Sequence, residues 1–300
     1  MNAFNRILVG LDMSHLDTRL ISYLSLLNQS FPPVKAYMVH VSYAQQLPVV
    51  VGGRYTREQP DETLMETLVQ RYEAAMDAEV REVLNPNDLE AEFQVLEGTI
   101  THQMLQFSND KEIDLTILGK KQVHQGSGVA ANRYLRHTNS SVLFVPEAST
   151  GNLDHLMIAT DLSPYNEFAV RKAITLAQSL PKPPKITLLH VFDVPTDQAF
   201  KISRTTGQYA HIIRENVEEL VNRYVERFDW GDLKPEVELV ENTHYNCAKH
   251  VSEAADRINP DMLIIGARGH SSFSAWLLGS MPEKLLRYDE NIPLLIVRNE

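Results

Sequence analysis

Pro260-Asp261-Met262-Leu263-Ile264-Ile265-Gly266-Ala267-Arg268-Gly269 is an apolar run that empties into a glycine-spaced loop, with nine residues between Gly269 and the pair Gly279-Ser280. Met262 to Ile265 has the length and the unbroken apolar character of a strand buried on both faces. A strand that feeds a glycine-spaced loop and then a helix is how α/β proteins hold phosphate. Glycine lets the backbone approach an anion, and successive N–H groups with a helix N-terminus supply positive partial charge.

Working outward, the stretch has a damaged copy. Ile113-Asp114-Leu115-Thr116-Ile117-Leu118-Gly119 matches Pro260 to Gly266. Three more pairs repeat in the same order. Ile7 to Asp12 matches Leu156 to Asp161, each closing on Asp-x-Ser. Val34 to Val41 matches Lys185 to Val191, each closing on His-Val. Ser141 to Val145 matches Pro293 to Val297. Third strands are expected at Phe93 to Leu96 and Val237 to Val240. Helical patterns lie between, including Arg71 to Val80 and Ile212 to Phe228, and Ala169, Ala173, Leu176, Ala177 and Leu180 form one apolar face. Ser163 is placed as an N-cap, with Pro164 at the first helical position. Each half therefore reads β-α-β-α-β-α-β-α-β, a parallel sheet with helices on both faces. The domains are expected at 1–148 and 152–300, with a polar linker around Pro146 to Asn152. Ser42 to Pro60 and Asp193 to Tyr209 lack periodicity and are expected to be irregular loops.

The 300 residues carry 43% hydrophobic and 22% charged residues and a net charge of −11. That balance supports two folded domains and opposes a nucleic-acid or anionic-membrane binder. A lone cysteine, Cys247, excludes an internal disulfide and a cysteine-rich zinc site. With no apolar run of membrane-spanning length and no signal-peptide core at the start, a cytoplasmic location is expected.

In a doubly wound sheet, ligands sit beyond the carboxyl ends of strands. Asp161 ends the first strand of the second half and Gly266 the fourth, so both are expected at one crevice. Asp161 then accepts hydrogen bonds from a ribose or base, and Val191 offers backbone groups to a base. Gly266, Gly269, Gly279 and Ser280 wrap phosphates, with the Ser280 hydroxyl as a donor. Arg268 reads equally as a phosphate partner or a solvated loop residue, and His270 as polar cover. The glycines do not follow the first strand, and no G-x-x-x-x-G-K-[ST] occurs, so the dinucleotide fingerprint and the P-loop are both excluded.

These residues carry a resemblance. The chain resembles a tandem universal stress protein over nearly its whole length. In that family a G-2x-G-9x-G-(S/T) motif marks members that bind ATP or another adenine nucleotide, and it matches Gly266, Gly269, Gly279 and Ser280. The family's acidic residue at the end of the first strand matches Asp161, and the residue two before it Ala159. Its hydrophobic residue after the second strand matches Val191. The flanks of the motif match Ile265 and Met281. The resemblance implies Rossmann-like domains of strand order 3-2-1-4-5, each with five parallel strands. It also implies bound ATP, ADP or AMP, with or without Mg²⁺, hydrolysed slowly or not at all and acting as a regulatory ligand in stress response. In the family the last strands commonly pair across a dimer. An intrachain pseudo-dimer through Val142 to Val145 and Leu294 to Val297 is therefore expected, with a homodimer and an unidentified protein partner left open. A slow ATP hydrolase and a nucleotide-independent scaffold are the alternatives.

The first half keeps Asp12 and Val41 but not the loop. Gln122 stands at the second glycine. Nine residues take Gly119 to Gly128, against thirteen from Gly266 to Gly279, and Val129 falls at the place of Ser280. Pairing Gly126-Ser127 with Gly279-Ser280 instead shortens the loop further. This half is expected to bind nucleotide weakly or not at all. His40 and His190 share a strand-end position and read as packing or hydrogen-bonding residues. His244, Cys247 and His250 share a helical spacing and read as an ordinary helix face. No catalytic residue and no metal site is assigned.

Overall fold

The repeat becomes two copies of one sheet order. The computed structural model describes residues 3–30, 35–42, 47–51, 54–58, 62–84, 89–120, 128–194, 206–243, 246–269, 278–288 and 291–299. They divide into two units, Asn2–Gly151 and Asn152–Asn299.

The first unit runs β1 (Arg6–Leu11), α1 (Asp17–Ser30), β2 (Lys35–Ser42), β3 (Leu47–Val51), β4 (Arg54–Glu58), α2 (Glu62–Val83), β5 (Glu90–Glu97), α3 (Ile100–Asp110), β6 (Leu115–Lys120), α4 (Gly128–His137) and β7 (Ser141–Pro146). Its main strands lie in the order β5-β2-β1-β6-β7, every neighbour parallel. The second unit runs β8 (His155–Ala159), α5 (Pro164–Ser179), β9 (Lys185–Phe192), α6 (Thr206–Val225), β10 (Pro235–Glu241), α7 (Cys247–Ile258), β11 (Met262–Gly266), α8 (Ser280–Leu285) and β12 (Leu294–Val297). Its order is β10-β9-β8-β11-β12, again all parallel. Counted within each unit, both are 3-2-1-4-5, the Rossmann-like order the resemblance implies.

The local chemistry explains the elements. β7, β11 and β12 are buried at every position, as a parallel sheet covered on both faces requires. α5 opens on Ser163, whose Oγ accepts from Asn166 N at 3.3 Å, and Pro164 follows at the first helical position. Its stripe Ala169, Val170, Ala173, Ile174, Leu176 and Ala177 is buried, and each large apolar side chain so buried contributes about 1.5–3 kcal/mol. α7 begins on Asn246, whose side chain caps Lys249 N, and ends on Asn259 in the left-handed region at φ 50°. The strand bottoms are tied alike in both units. Asp114 accepts from Asn5 N and Arg6 N at 2.7 and 3.1 Å, and Asp261 accepts from His155 N at 2.9 Å. The aspartate before each fourth strand is thus structural.

Two expectations change. Leu47–Val51 and Arg54–Glu58 form an antiparallel hairpin where an irregular loop was expected. Two five-residue strands leave too little length for apolar periodicity to show. α6 starts at Thr206, inside the second expected loop; the weak helix propensity of Thr206-Gly207 hides this first turn in the sequence pattern. Residues 195–205 lie outside the described set. The boundary between the units falls within the polar stretch Pro146 to Asn152, where Ser149 is buried and both its N–H and its hydroxyl donate to Pro146 O. Among the described residues no helix is long and apolar enough to cross a membrane.

Candidate functional site

The first strand of each unit ends in the same unusual turn. Met13 and Leu162, equivalent in the repeat, both adopt left-handed backbone at φ 59° and 61°, which costs a non-glycine residue about 1–2 kcal/mol. In the second unit this turn is held by its own neighbours. Leu162 N donates to Thr160 Oγ1 at 3.1 Å, and Ser163 N donates to Asp161 Oδ1 at 3.0 Å. The turn brings Asp161 beside the glycine loop. A Cβ on Gly269 would lie 2.6 Å from Asp161 Oδ2, so any other residue there would have to displace the Asp161 carboxylate. A Cβ on Gly266 would lie 3.3 Å from the Asn166 amide, and one on Gly279 would lie 3.2 Å from Ala267 O. Gly279 N closes the loop by donating to Ala267 O at 2.8 Å.

Above these groups lies a cavity of about 460 Å³. Ala159, Asp161, Val191, Ile265, Gly266, Arg268, Gly269, Gly279, Ser280 and Met281 all line it. The structure therefore gathers these ten residues around one space at the carboxyl ends of β8, β9 and β11. His270 lies outside the described residues. The cavity also takes in Thr160, Asn166, Leu189, Asp193, Cys247, Val251 and Pro282, which sequence reading did not assign to the site. Two of them carried a signal. Thr160 and Asn166 stand where the first half has Leu11 and Asp17, so the repeat differs on either side of the Asp-x-Ser that both halves share.

Burial pushes the Cys247 thiol up to about 11, with the charges of Asp193 and Asp161 adding to it, so at neutral pH it is a thiol and a poor nucleophile. His250 faces Glu253 and Thr243, whereas Cys247 faces the cavity. His244 lies outside the described residues. Burial likewise pushes Tyr224 up to about 12, and its hydroxyl accepts from Thr160 Oγ1 at 3.4 Å. His190 Nδ1 bonds Thr160 O at 2.9 Å, and His40 Nδ1 bonds Leu11 O at 3.0 Å. Both histidines fasten the first strand to the second.

The equivalent cleft of the first unit is smaller, about 160 Å³, and lined mostly by apolar groups with Asp12 and Asp17. Leu16 is buried at 3% exposure and lies so close to Gly119 that a Cβ there would overlap its Cδ2. Its counterpart Tyr165 is 50% exposed. Asp17 holds the left-handed turn here, accepting from Asp12 N at 3.2 Å and Met13 N at 2.7 Å. Burial pushes its carboxyl up to about 7 against those bonds, helped by the charges of Asp12 and Glu79. Val129 is exposed, and Gln122 lies outside the described residues.

Comparison with known proteins places this architecture. A universal stress protein from Archaeoglobus fulgidus superposes with a TM-score of 0.67 at 15% identity, over 99% of this chain and 98% of its own. A functionally unknown protein from Pseudomonas aeruginosa PAO1 gives 0.64 at 11% identity, over 99% and 93%. A protein of Staphylococcus aureus strain USA300 that carries the universal stress protein name is 24% identical over 148 residues, 49% of this chain and 84% of that protein. The model of the universal stress protein family matches twice, over residues 3–146 and 152–298. The chain belongs to the universal stress protein family, as a tandem of two such domains.

Proposed function

We propose that the unit Asn152–Asn299 binds one adenine nucleotide, ATP or its ADP or AMP products, as a regulatory ligand in a stress response, and that the first unit binds none. The observation that carries this reading is the convergence of Ala159, Asp161, Val191, Ile265, the glycines and Ser280 on one cavity of about 460 Å³. That volume lies in the range of about 300–1,000 Å³ in which small-molecule ligands are held. The residues fit a nucleotide. Asp161 and Val191 would take ribose and base, while Gly266, Gly269 and Gly279 leave the backbone bare for phosphates. Ser280 would donate its hydroxyl to them, and Arg268 and any Mg²⁺ would balance their charge. Hydrolysis is slow or absent, and a protein partner in the cytoplasm reads the bound state.

The test is native mass spectrometry of the purified chain with calorimetric titration of ATP, ADP and AMP. One nucleotide per chain is expected, and Gly279→Tyr is expected to weaken binding by about 100-fold or more, because a ring at this position fills the cavity beside Ala267 O. Equal binding by both proteins, or no binding by the wild type, refutes the site.

A further inference from the structure

The wall of the cavity contains a buried polar atom that has no partner among the described residues. Asn166, in the first turn of α5, is 6% exposed and lines the cavity, and its Oδ1 has no hydrogen-bond partner among the described residues. A buried carbonyl oxygen left unpaired costs about 1–3 kcal/mol, so such an atom calls for a donor beyond the described residues. Among the described residues the side chain holds no turn or cap. The N-cap bond to this residue uses its backbone N–H, and the left-handed turn is already held by Thr160 and Asp161.

The first unit shows what this position does when it does work for the fold. There the counterpart Asp17 turns back and accepts from Asp12 N and Met13 N, because Leu11 lacks the hydroxyl that Thr160 supplies. The exchange of Leu11 and Asp17 for Thr160 and Asn166 releases the helix side chain from the turn. The released amide rests against Gly266, whose missing Cβ leaves it room at 3.3 Å.

We infer that Asn166 is a ligand-reading residue whose Oδ1 accepts a hydrogen bond from a sugar hydroxyl of the bound nucleotide. The inference rests on the nucleotide reading above. The chemistry selects the group. An amide oxygen only accepts, an ionised phosphate has no proton to give, and the base is assigned to the backbone at Val191. A ribose hydroxyl is the donor that remains.

The experiment is calorimetric titration of ATP, 2′-deoxyATP and 3′-deoxyATP into the full-length wild type and Asn166→Ala, with circular dichroism to confirm folding. The wild type is expected to bind at least one deoxynucleotide about 10-fold more weakly than ATP. Asn166→Ala is expected to bind ATP about 10-fold more weakly and to keep a preference of about 2-fold or less over that deoxynucleotide. If Asn166→Ala fails to fold, Asn166→Ser is measured in its place with the same expectation. A wild type that binds all three alike overturns the inference while leaving the nucleotide site standing, and means that water fills the position. Undiminished discrimination by the variant overturns it as well. Absence of ATP binding by the wild type removes the nucleotide reading and this inference together.

Discussion

The two units share a strand order, a left-handed residue after the first strand and a histidine that locks that strand to the second, yet they use the same corner for opposite ends. In the second unit Thr160 and Asp161 hold the turn from within it, Tyr165 points outward, and a large cavity remains. In the first, Asp17 holds the turn from the helix, and Leu16 drops onto Gly119. The sheets are not what differs. A cleft is closed here by one buried leucine and one redirected carboxylate, on an unchanged scaffold. Loss of the glycine motif is therefore only part of why the first unit is expected to lack a ligand.

The most forceful way to break the comparison is to empty the first cleft. Leu16→Ala removes a fully buried side chain and is expected to destabilise the protein by about 3 kcal/mol in urea unfolding. Tyr165→Ala, at the equivalent half-exposed position, is expected to cost about 0.5 kcal/mol or less. Nucleotide stoichiometry is expected to stay at one per chain in Leu16→Ala. A rise to two would show that Leu16 alone blocks the first site, and that the altered loop around Gly119 does not matter.

The sequence carried the fold because the repeat let weak signals support one another. Apolar runs such as Met262 to Ile265 and Leu294 to Val297 are short, but each had a partner at the same place in the other half. The site was legible wherever chemistry forced a residue type, as with the glycines against Asp161 and Ala267 O. It was not legible where the chemistry depended on which side chain reaches a shared turn. Thr160 and Asn166 are ordinary polar residues in a linear pattern. Their meaning appears only when Asp17 is seen accepting from Met13 N and Asn166 Oδ1 is seen with no partner among the described residues. The hairpin β3–β4 was missed for a different reason, since its two five-residue strands are too short to declare a period.

A second way to sharpen the contrast is through pH. The Asp17 carboxyl is raised from 3.8 to about 7, chiefly by burial. Between those values the folded protein retains a proton that the unfolded chain has released, so this group's contribution to stability falls as pH rises from about 4 to 7 and is level above that. Asp17→Asn removes the dependence. The neutral amide can still accept one of the two backbone N–H bonds. At pH 8 the variant is expected to be more stable than wild type by about 2 kcal/mol, with the gain vanishing near pH 4. Chemical denaturation at pH 4, 6 and 8 measures it. A variant less stable at pH 8 would mean that the ionised carboxylate is a net support of the turn. The second unit has no such group at Asn166.

The smallest effect tests the exchange itself. Thr160→Leu gives the second unit the first unit's residue and removes the hydroxyl that holds Leu162 N. A loss of about 1 kcal/mol is expected, the worth of one hydrogen bond to a left-handed turn. Asn166→Asp alone adds a carboxylate with no turn to hold, since Thr160 already occupies Leu162 N, and it is expected to destabilise at neutral pH by a similar amount. Together they recreate the pair Leu11 and Asp17. If the carboxylate then swings back to Leu162 N as Asp17 does to Met13 N, the double variant is expected to recover about 1 kcal/mol relative to the sum of the single changes. Its nucleotide affinity is expected to fall below that of the wild type, because the amide is gone and a negative charge stands at the cavity wall. A strictly additive cycle would show that the two positions do not trade the turn between them, and that the difference between the units lies in Leu16 and the loop alone.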